Sequence, residues 1–187
     1  MSLERLLGGI DVLRPQGDFG ACVITGVAHD SRAVRQGSLF CCLVGERTDG
    51  HDHAASAVAA GASALVCERP LDLPVPQVVV ADARAAMAQV AAAFHGHPSR
   101  RLTVAGITGT NGKTTVTHLL AAVLQASGRP AGVIGTLSGA HTTPEAPDLQ
   151  ARLAGLAAAG TQAVAMEVSS HALAQHRVDA TWFEVVA

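Results

Sequence analysis

Tyrosine is absent, and Phe and Trp bring the aromatic share to only 3% of 187 residues. A platform that stacks the bases of single-stranded nucleic acid is therefore not expected. Basic excess is lacking as well: 13 Lys and Arg stand against 15 Asp and Glu, a net charge of -2. That balance argues against a dedicated nucleic-acid binder. No apolar run approaches the roughly 18 residues that cross a bilayer. The opening stretch, MSLERLLGGIDVL, carries Glu4 and Asp11 and no small-residue cleavage site, so it does not read as a secretory signal. Cysteine is limited to Cys22, Cys41, Cys42 and Cys67, at spacings that fit neither a zinc site nor a CxxC redox pair. They are expected to be small buried hydrophobes in a reducing compartment. A soluble, cytoplasmic protein follows from these absences.

The chain is 49% hydrophobic and 15% charged, enough to bury a sizeable core. A break is expected at His95-Gly96-His97-Pro98-Ser99-Arg100-Arg101, giving domains 1–98 and 99–187. In the first, 22–28, 39–44, 64–67 and 77–80 read as strands, and 54–60 as a helix stopped by Gly61. Asp82 reads as the N-cap of a helix carrying Met87, Val90, Ala91 and Phe94 on one face. In the second, strands are expected at 102–107, 131–134 and 163–168, with another beginning at 182–187. A helix from Thr114 shows Val116, Leu119, Leu120, Val123 and Leu124 at three- and four-residue spacing and ends at Gly128-Arg129-Pro130. Another carries Leu149, Leu153 and Leu156 and stops at Gly160. Strand and helix alternate throughout, so the fold class is α/β with a parallel, doubly wound sheet. The last residues, Val185-Val186-Ala187, lie inside a strand-like run, which reads as an incomplete domain.

The strongest chemical signal is Gly106-Ile107-Thr108-Gly109-Thr110-Asn111-Gly112-Lys113-Thr114-Thr115, placed after a strand and opening a helix. Its glycines let backbone N–H groups converge on a phosphate, and the helix N-terminus adds partial positive charge. Lys113 suits the β- and γ-phosphates, and the Thr114 hydroxyl suits Mg²⁺. Ile107 stands where the general GxxxxGK[ST] pattern has its first glycine, so the loop is a variant. A glycine-rich turn with a surface lysine is the bland alternative.

Ligands of a parallel sheet sit at the carboxyl ends of its strands. Glu167 lies at such an end, either as a Mg²⁺ ligand or as a charge at a helix start. Ser169, Ser170, His171, Gln175, His176 and Arg177 follow, either as an anion site or as a cap with a solvated face. Thr142 and Thr143 are anion contacts or a turn. His51-Asp52-His53 has no matched further ligand and reads as a solvent-facing helix start rather than a metal site.

Gly109–Thr115, with Glu167-Val168-Ser169-Ser170-His171-Ala172-Leu173 and Gln175-His176-Arg177-Val178, resembles the Mur ligases. The loop alone also admits folylpolyglutamate synthase relatives; the second and third stretches discriminate. Asp30-Ser31-Arg32, Gly37-Ser38-Leu39-Phe40, Gly45 and Asp49-Gly50-His51 are similar to that family's UDP-sugar-binding domain. The resemblance spans nearly the whole chain and implies a small UDP-MurNAc-binding domain followed by the first part of a central ATPase domain. It implies ATP on Gly109, Thr110, Asn111, Gly112, Lys113, Thr114 and Thr115, with Lys113 and Glu167 catalytic and Mg²⁺ on Thr114 and Glu167. It implies that Ser31, Glu46, Arg47 and Thr48 hold the uridine-diphosphate end of the substrate. Thr142, Thr143, Ser169, Gln175 and Arg177 would hold its muramyl-peptide end.

The implied reaction is ATP-dependent addition of the third amino acid, meso-diaminopimelate or L-lysine, to UDP-MurNAc-L-Ala-D-Glu through an acyl phosphate. Family members continue into a carboxylated lysine and a C-terminal domain that these 187 residues lack, so the chain alone is expected not to ligate. A non-catalytic nucleotide and UDP-sugar module, or another phosphate-loop ATPase or kinase, are the rival readings.

Overall fold

The computed structural model describes residues 1–45, 48–138 and 141–187. The chain divides into two compact units, Met1–Phe94 and His95–Ala187. The first runs α1 (Leu3–Leu6), β1 (Arg14–Gln16), β2 (Gly26–Ala28), β3 (Ser38–Cys41), α2 (Ala54–Ala59), β4 (Ala62–Cys67), β5 (Gln77–Val79) and α3 (Ala83–Phe94). Its sheet has the order β1-β5-β4-β3-β2. Strands β2 to β5 are parallel, and β1 is an antiparallel edge strand on β5.

The pleat sends alternate residues to opposite faces. Phe40, Cys42, Leu65, Cys67 and Val79 form one core with Ala54 and Ala57 of α2. Leu39, Cys41, Ala64 and Val66, all fully buried, point to the other face, and α3 packs across β2, β3 and β4. Asp82 caps α3, its Oδ1 accepting from the amides of Arg84 at 2.8 Å and Ala85 at 2.9 Å. The strand expected over 22–28 is split. Gly26–Ala28 enters the sheet, whereas Cys22 and Ile24 bond to the backbone of Leu3 and Met1.

All four cysteines are free thiols, and Cys41, Cys42 and Cys67 are fully buried. Burial pushes the Cys42 thiol up to about 12 and the Cys67 thiol up to about 11. A folded-state value above the unfolded one stabilises below the unfolded value and is lost as pH rises through the folded value. Unfolding from pH 9 to 12 should therefore grow steeper, and replacing both residues with alanine should flatten that slope. A pH titration of the urea midpoint checks this; an unchanged slope refutes it.

The second unit runs β6 (Thr103–Ile107), α4 (Lys113–Ala126), β7 (Ala131–Ile134), α5 (Ala146–Ala158), β8 (Ala163–Glu167), α6 (Ser170–Ala174) and β9 (Val185–Val186). Its sheet has the order β7-β8-β6-β9, every pair parallel. Val104, Ile134, Val164 and Met166 face Leu149 and Leu153 of α5. Their neighbours Ala105, Ile107, Val133 and Ala165 pack with Leu120 and Ala121 of α4. Helices thus cover both faces, the doubly wound arrangement.

The apolar stripe expected to seat α4 is only partly used. Val116, Leu119 and Val123 are 46%, 61% and 65% exposed. Thr117 and Ala121 are the buried residues of the helix. Ala105, Ala131 and Ala165 leave the sheet face below low beside Ile107 and Val133, so Ala121 and Leu120 pack there while Val116, Leu119 and Val123 are left outside. Among the described residues, no helix is long and apolar enough to cross a membrane.

Candidate functional site

Three parallel strands of the second unit end side by side. Ile107 on β6 is in register with Glu167 on β8, and Met166 on β8 with Ile134 on β7. The segments after those ends build one polar cluster. After β6 the chain turns through Gly109 (φ +132°) and Gly112 (φ +81°), and Gly112 is the N-cap of α4. A glycine brings no capping side chain, so the first N–H groups of this 14-residue helix are offered outward. Lys113, the first helical residue, folds back and donates from Nζ to the Gly109 carbonyl at 2.6 Å.

Glu167 is the hub and is 1% exposed. Its Oε2 accepts from the Thr114 hydroxyl at 3.0 Å and from the Thr136 hydroxyl at 3.3 Å. Its Oε1 accepts from the Thr136 amide at 2.9 Å. The Thr136 and Thr142 hydroxyls lie 3.0 Å apart. Gly135 is forced by this arrangement: a Cβ there would stand 2.2 Å from Glu167 Oε1.

A second group adjoins the first. The Thr143 hydroxyl donates to the Glu167 carbonyl at 2.9 Å and accepts from the Ser169 amide at 3.1 Å. The Ser169 hydroxyl caps α6 by accepting from the Ala172 amide at 3.1 Å. The Arg177 guanidinium reaches the Thr143 carbonyl at 2.9 Å, Gln175 Oε1 at 2.6 Å and Glu145 Oε1 at 2.8 Å.

Thr114, Thr142, Thr143, Glu167, Ser169, Gln175 and Arg177 are therefore brought together as one constellation, with Gly109–Gly112 at its edge and Lys113 folded onto that loop. Thr136 and Glu145 were missed in the sequence. Thr136 lies two residues past a strand end, which is signal enough. Glu145 lay in a loop with no periodicity to mark it.

In the first unit, Ser31 opens a short 3₁₀ turn just after β2. The turn is capped by Asp30, whose carboxyl the Arg32 guanidinium holds down at about 2. Thr48 lies beyond β3, its carbonyl accepting from the Gly45 amide at 2.9 Å. Glu46 and Arg47 fall outside the described residues. His51 departs from expectation: it is buried, not solvent-facing, within a 3₁₀ turn over Gly50–His53. Among the described residues, no group of three or more His, Cys, Asp or Glu could hold a metal ion.

A glycine loop opening an uncapped helix, faced by a buried strand-end glutamate, defines a phosphate-loop α/β protein. The chain belongs to the Mur ligase family: the profile of the Mur ligase family catalytic domain matches residues 23–108, and that of the Mur ligase middle domain matches 107–187. It is 46% identical to the UDP-N-acetylmuramoyl-L-alanyl-D-glutamate–2,6-diaminopimelate ligase of Geobacter sulfurreducens, the match covering 99% of this chain and 38% of that protein. The protein of the same name from Halalkalibacterium halodurans is 47% identical over 87% of this chain and 35% of its own length. A solved structure of a ligase with that name superposes with a TM-score of 0.82 at 26% identity, covering 100% of this chain and 39% of that one. The chain thus spans well under half the length of these relatives.

Proposed function

We propose that the chain is the nucleotide- and UDP-substrate-binding portion of an ATP-dependent ligase of cytoplasmic peptidoglycan synthesis. The ligase would add the third residue to UDP-MurNAc-L-Ala-D-Glu, and the names of the relatives favour 2,6-diaminopimelate as that residue. The observation that carries the reading is the Thr114–Glu167 hydrogen bond, made beside the uncapped start of α4.

The donor set fits Mg²⁺ with a triphosphate. Thr114 Oγ1, Thr136 Oγ1 and both Glu167 oxygens are hard ligands gathered within 3.3 Å hydrogen bonds. Gly109–Thr115 would wrap the phosphates, with Lys113 as the point charge on them and Thr114 and Glu167 as the metal ligands. Bound there, ATP would supply the phosphoryl group that activates the substrate carboxylate as an acyl phosphate. Thr142, Thr143, Ser169, Gln175 and Arg177 would orient the muramyl-peptide end, Arg177 through its planar fork. Ser31, Glu46, Arg47 and Thr48 would hold the uridine-diphosphate end, so that 1–98 is the nucleotide-sugar domain and 99–187 the start of the ATPase domain.

Calorimetry of the 187-residue chain tests this. A Mg²⁺-loaded non-hydrolysable ATP analogue and UDP-MurNAc-L-Ala-D-Glu should each bind. Lys113→Ala should weaken the nucleotide by about 10- to 100-fold, the worth of one charge-assisted hydrogen bond, while sparing the UDP substrate. Nucleotide binding with no affinity for the UDP substrate would favour an ordinary phosphate-loop ATPase instead.

A further inference from the structure

We infer that His51 is a positioning residue: as a neutral imidazole with its proton on Nδ1, it fixes Thr48 beside the carboxyl edge of the first sheet. The inference rests on the reading that Thr48 meets the uridine-diphosphate end of the substrate.

His51 is 5% exposed, and both of its nitrogens are engaged. Nε2 lies 3.0 Å from the backbone nitrogen of Glu68. An amide can only donate, so Nε2 accepts and is bare. Nδ1 lies 2.6 Å from Asp49 Oδ1, an acceptor, so the single ring proton sits there. The same Oδ1 accepts the His51 amide at 2.9 Å, and Arg69 donates to Oδ2 at 2.8 Å. Together, led by the His51 amide, these donors hold the Asp49 carboxyl well below the usual carboxylate range.

Asp49 is the residue after Thr48, and it bridges to Val44 beside the hydrogen bond from the Gly45 amide to the Thr48 carbonyl. Gly50 seals the other side. Its amide donates to the Leu43 carbonyl at 2.8 Å, and a Cβ there would meet the Leu43 nitrogen at 2.5 Å. Backbone lies on backbone, so this segment has little room to shift. Beyond His51 the contacts continue: Glu68 Oε1 accepts from the amide of Ala83, the first residue of α3. His51 therefore fastens the segment after β3 to the segment after β4. Those are the strand ends where a parallel sheet presents its ligand-binding residues. Here the ring orders a carboxylate on one side and the backbone just past the neighbouring parallel strand on the other, and Thr48 hangs from the first.

The test is calorimetric titration of UDP into wild type, His51→Asn and His51→Gln. Asparagine can keep the donor to Asp49 and loses the acceptor for Glu68; glutamine can keep the acceptor and loses the donor. Each should bind UDP about tenfold more weakly, with binding of the Mg²⁺-loaded ATP analogue unchanged. A merely structural role would lower the melting temperature and leave the UDP constant of the folded variants where it was. That result overturns the inference. Wild type that binds no UDP fells the substrate reading, and the inference with it. Should neither variant fold, ¹⁵N shifts of the wild-type imidazole decide: a bare Nε2 supports the inference, and a protonated Nε2 overturns it.

Discussion

Replacing Arg177 with alanine is expected to destabilise the His95–Ala187 unit by about 3 kcal/mol, the cost of stripping one partner from a largely buried ion pair. Arg177 and Glu145 side chains are only 11% and 14% exposed, and their contact is 2.8 Å. The substitution also removes donors from the Thr143 carbonyl and from Gln175 Oε1. Because Thr143 in turn bonds the Glu167 carbonyl, the disturbance reaches the strand end that carries the hub carboxylate. Arg177→Lys should recover little, since an ammonium cannot span three acceptors held at fork geometry. Urea unfolding of wild type, Arg177→Ala, Glu145→Ala and the double variant measures this. The double variant should lose less than the sum of the singles, and a loss under about 1 kcal/mol for Arg177→Ala would falsify the account. On the proposed function, affinity for UDP-MurNAc-L-Ala-D-Glu falls with it.

Gly135→Ala should do comparable damage with a single methyl group. Its Cβ would stand 2.2 Å from Glu167 Oε1 and 2.8 Å from the carboxyl carbon. The carboxylate is almost fully enclosed, so it cannot slide aside without giving up bonds to Thr114 and Thr136. Overpacking costs roughly 1–3 kcal/mol and each hydrogen bond to a charge about 1.5–3 kcal/mol, so a loss near 3 kcal/mol is expected. If Glu167 holds Mg²⁺, affinity for the metal-loaded nucleotide should drop by about 100-fold, whereas metal-free nucleotide should bind almost as before. Thermal melts with calorimetry in the presence and absence of Mg²⁺ separate the two effects. Wild-type melting and binding by Gly135→Ala would mean that Glu167 is not held as described.

Legibility in the sequence tracked how local each signal is. The strands at 131–134 and 163–167 could be read because a buried parallel strand is a short β-branched or alanine run bounded by turns. Asp82 could be read as a cap because capping depends on the next three residues alone. The seating of α4 could not be read. Its sequence carries apolar residues around much of its circumference, and only the sheet face below it, with Ala105, Ile107 and Ala165, decides that Ala121 and Leu120 are the ones packed there. Strand β1 was invisible for a similar reason. Arg14-Pro15-Gln16 has no strand signature, and its place comes from the free edge of β5. Within the site, Lys113, Thr114 and Glu167 were legible through the glycine loop and the strand end. Glu145 was not, because its partner lies 32 positions away and only the folded chain brings Arg177 to it.

The lysine that folds onto the Gly109 carbonyl has a consequence for how the loop receives an anion. An ammonium has three protons to give, and here one is spent on a neighbour within its own turn. The side chain is therefore tethered in advance, and less rotational freedom remains to be lost when a guest arrives. The tether must also be surrendered or shared at that moment, which discounts the gain. Such a latch favours quick capture and ready release over very tight retention, which on the proposed function would suit a site that turns over a nucleotide.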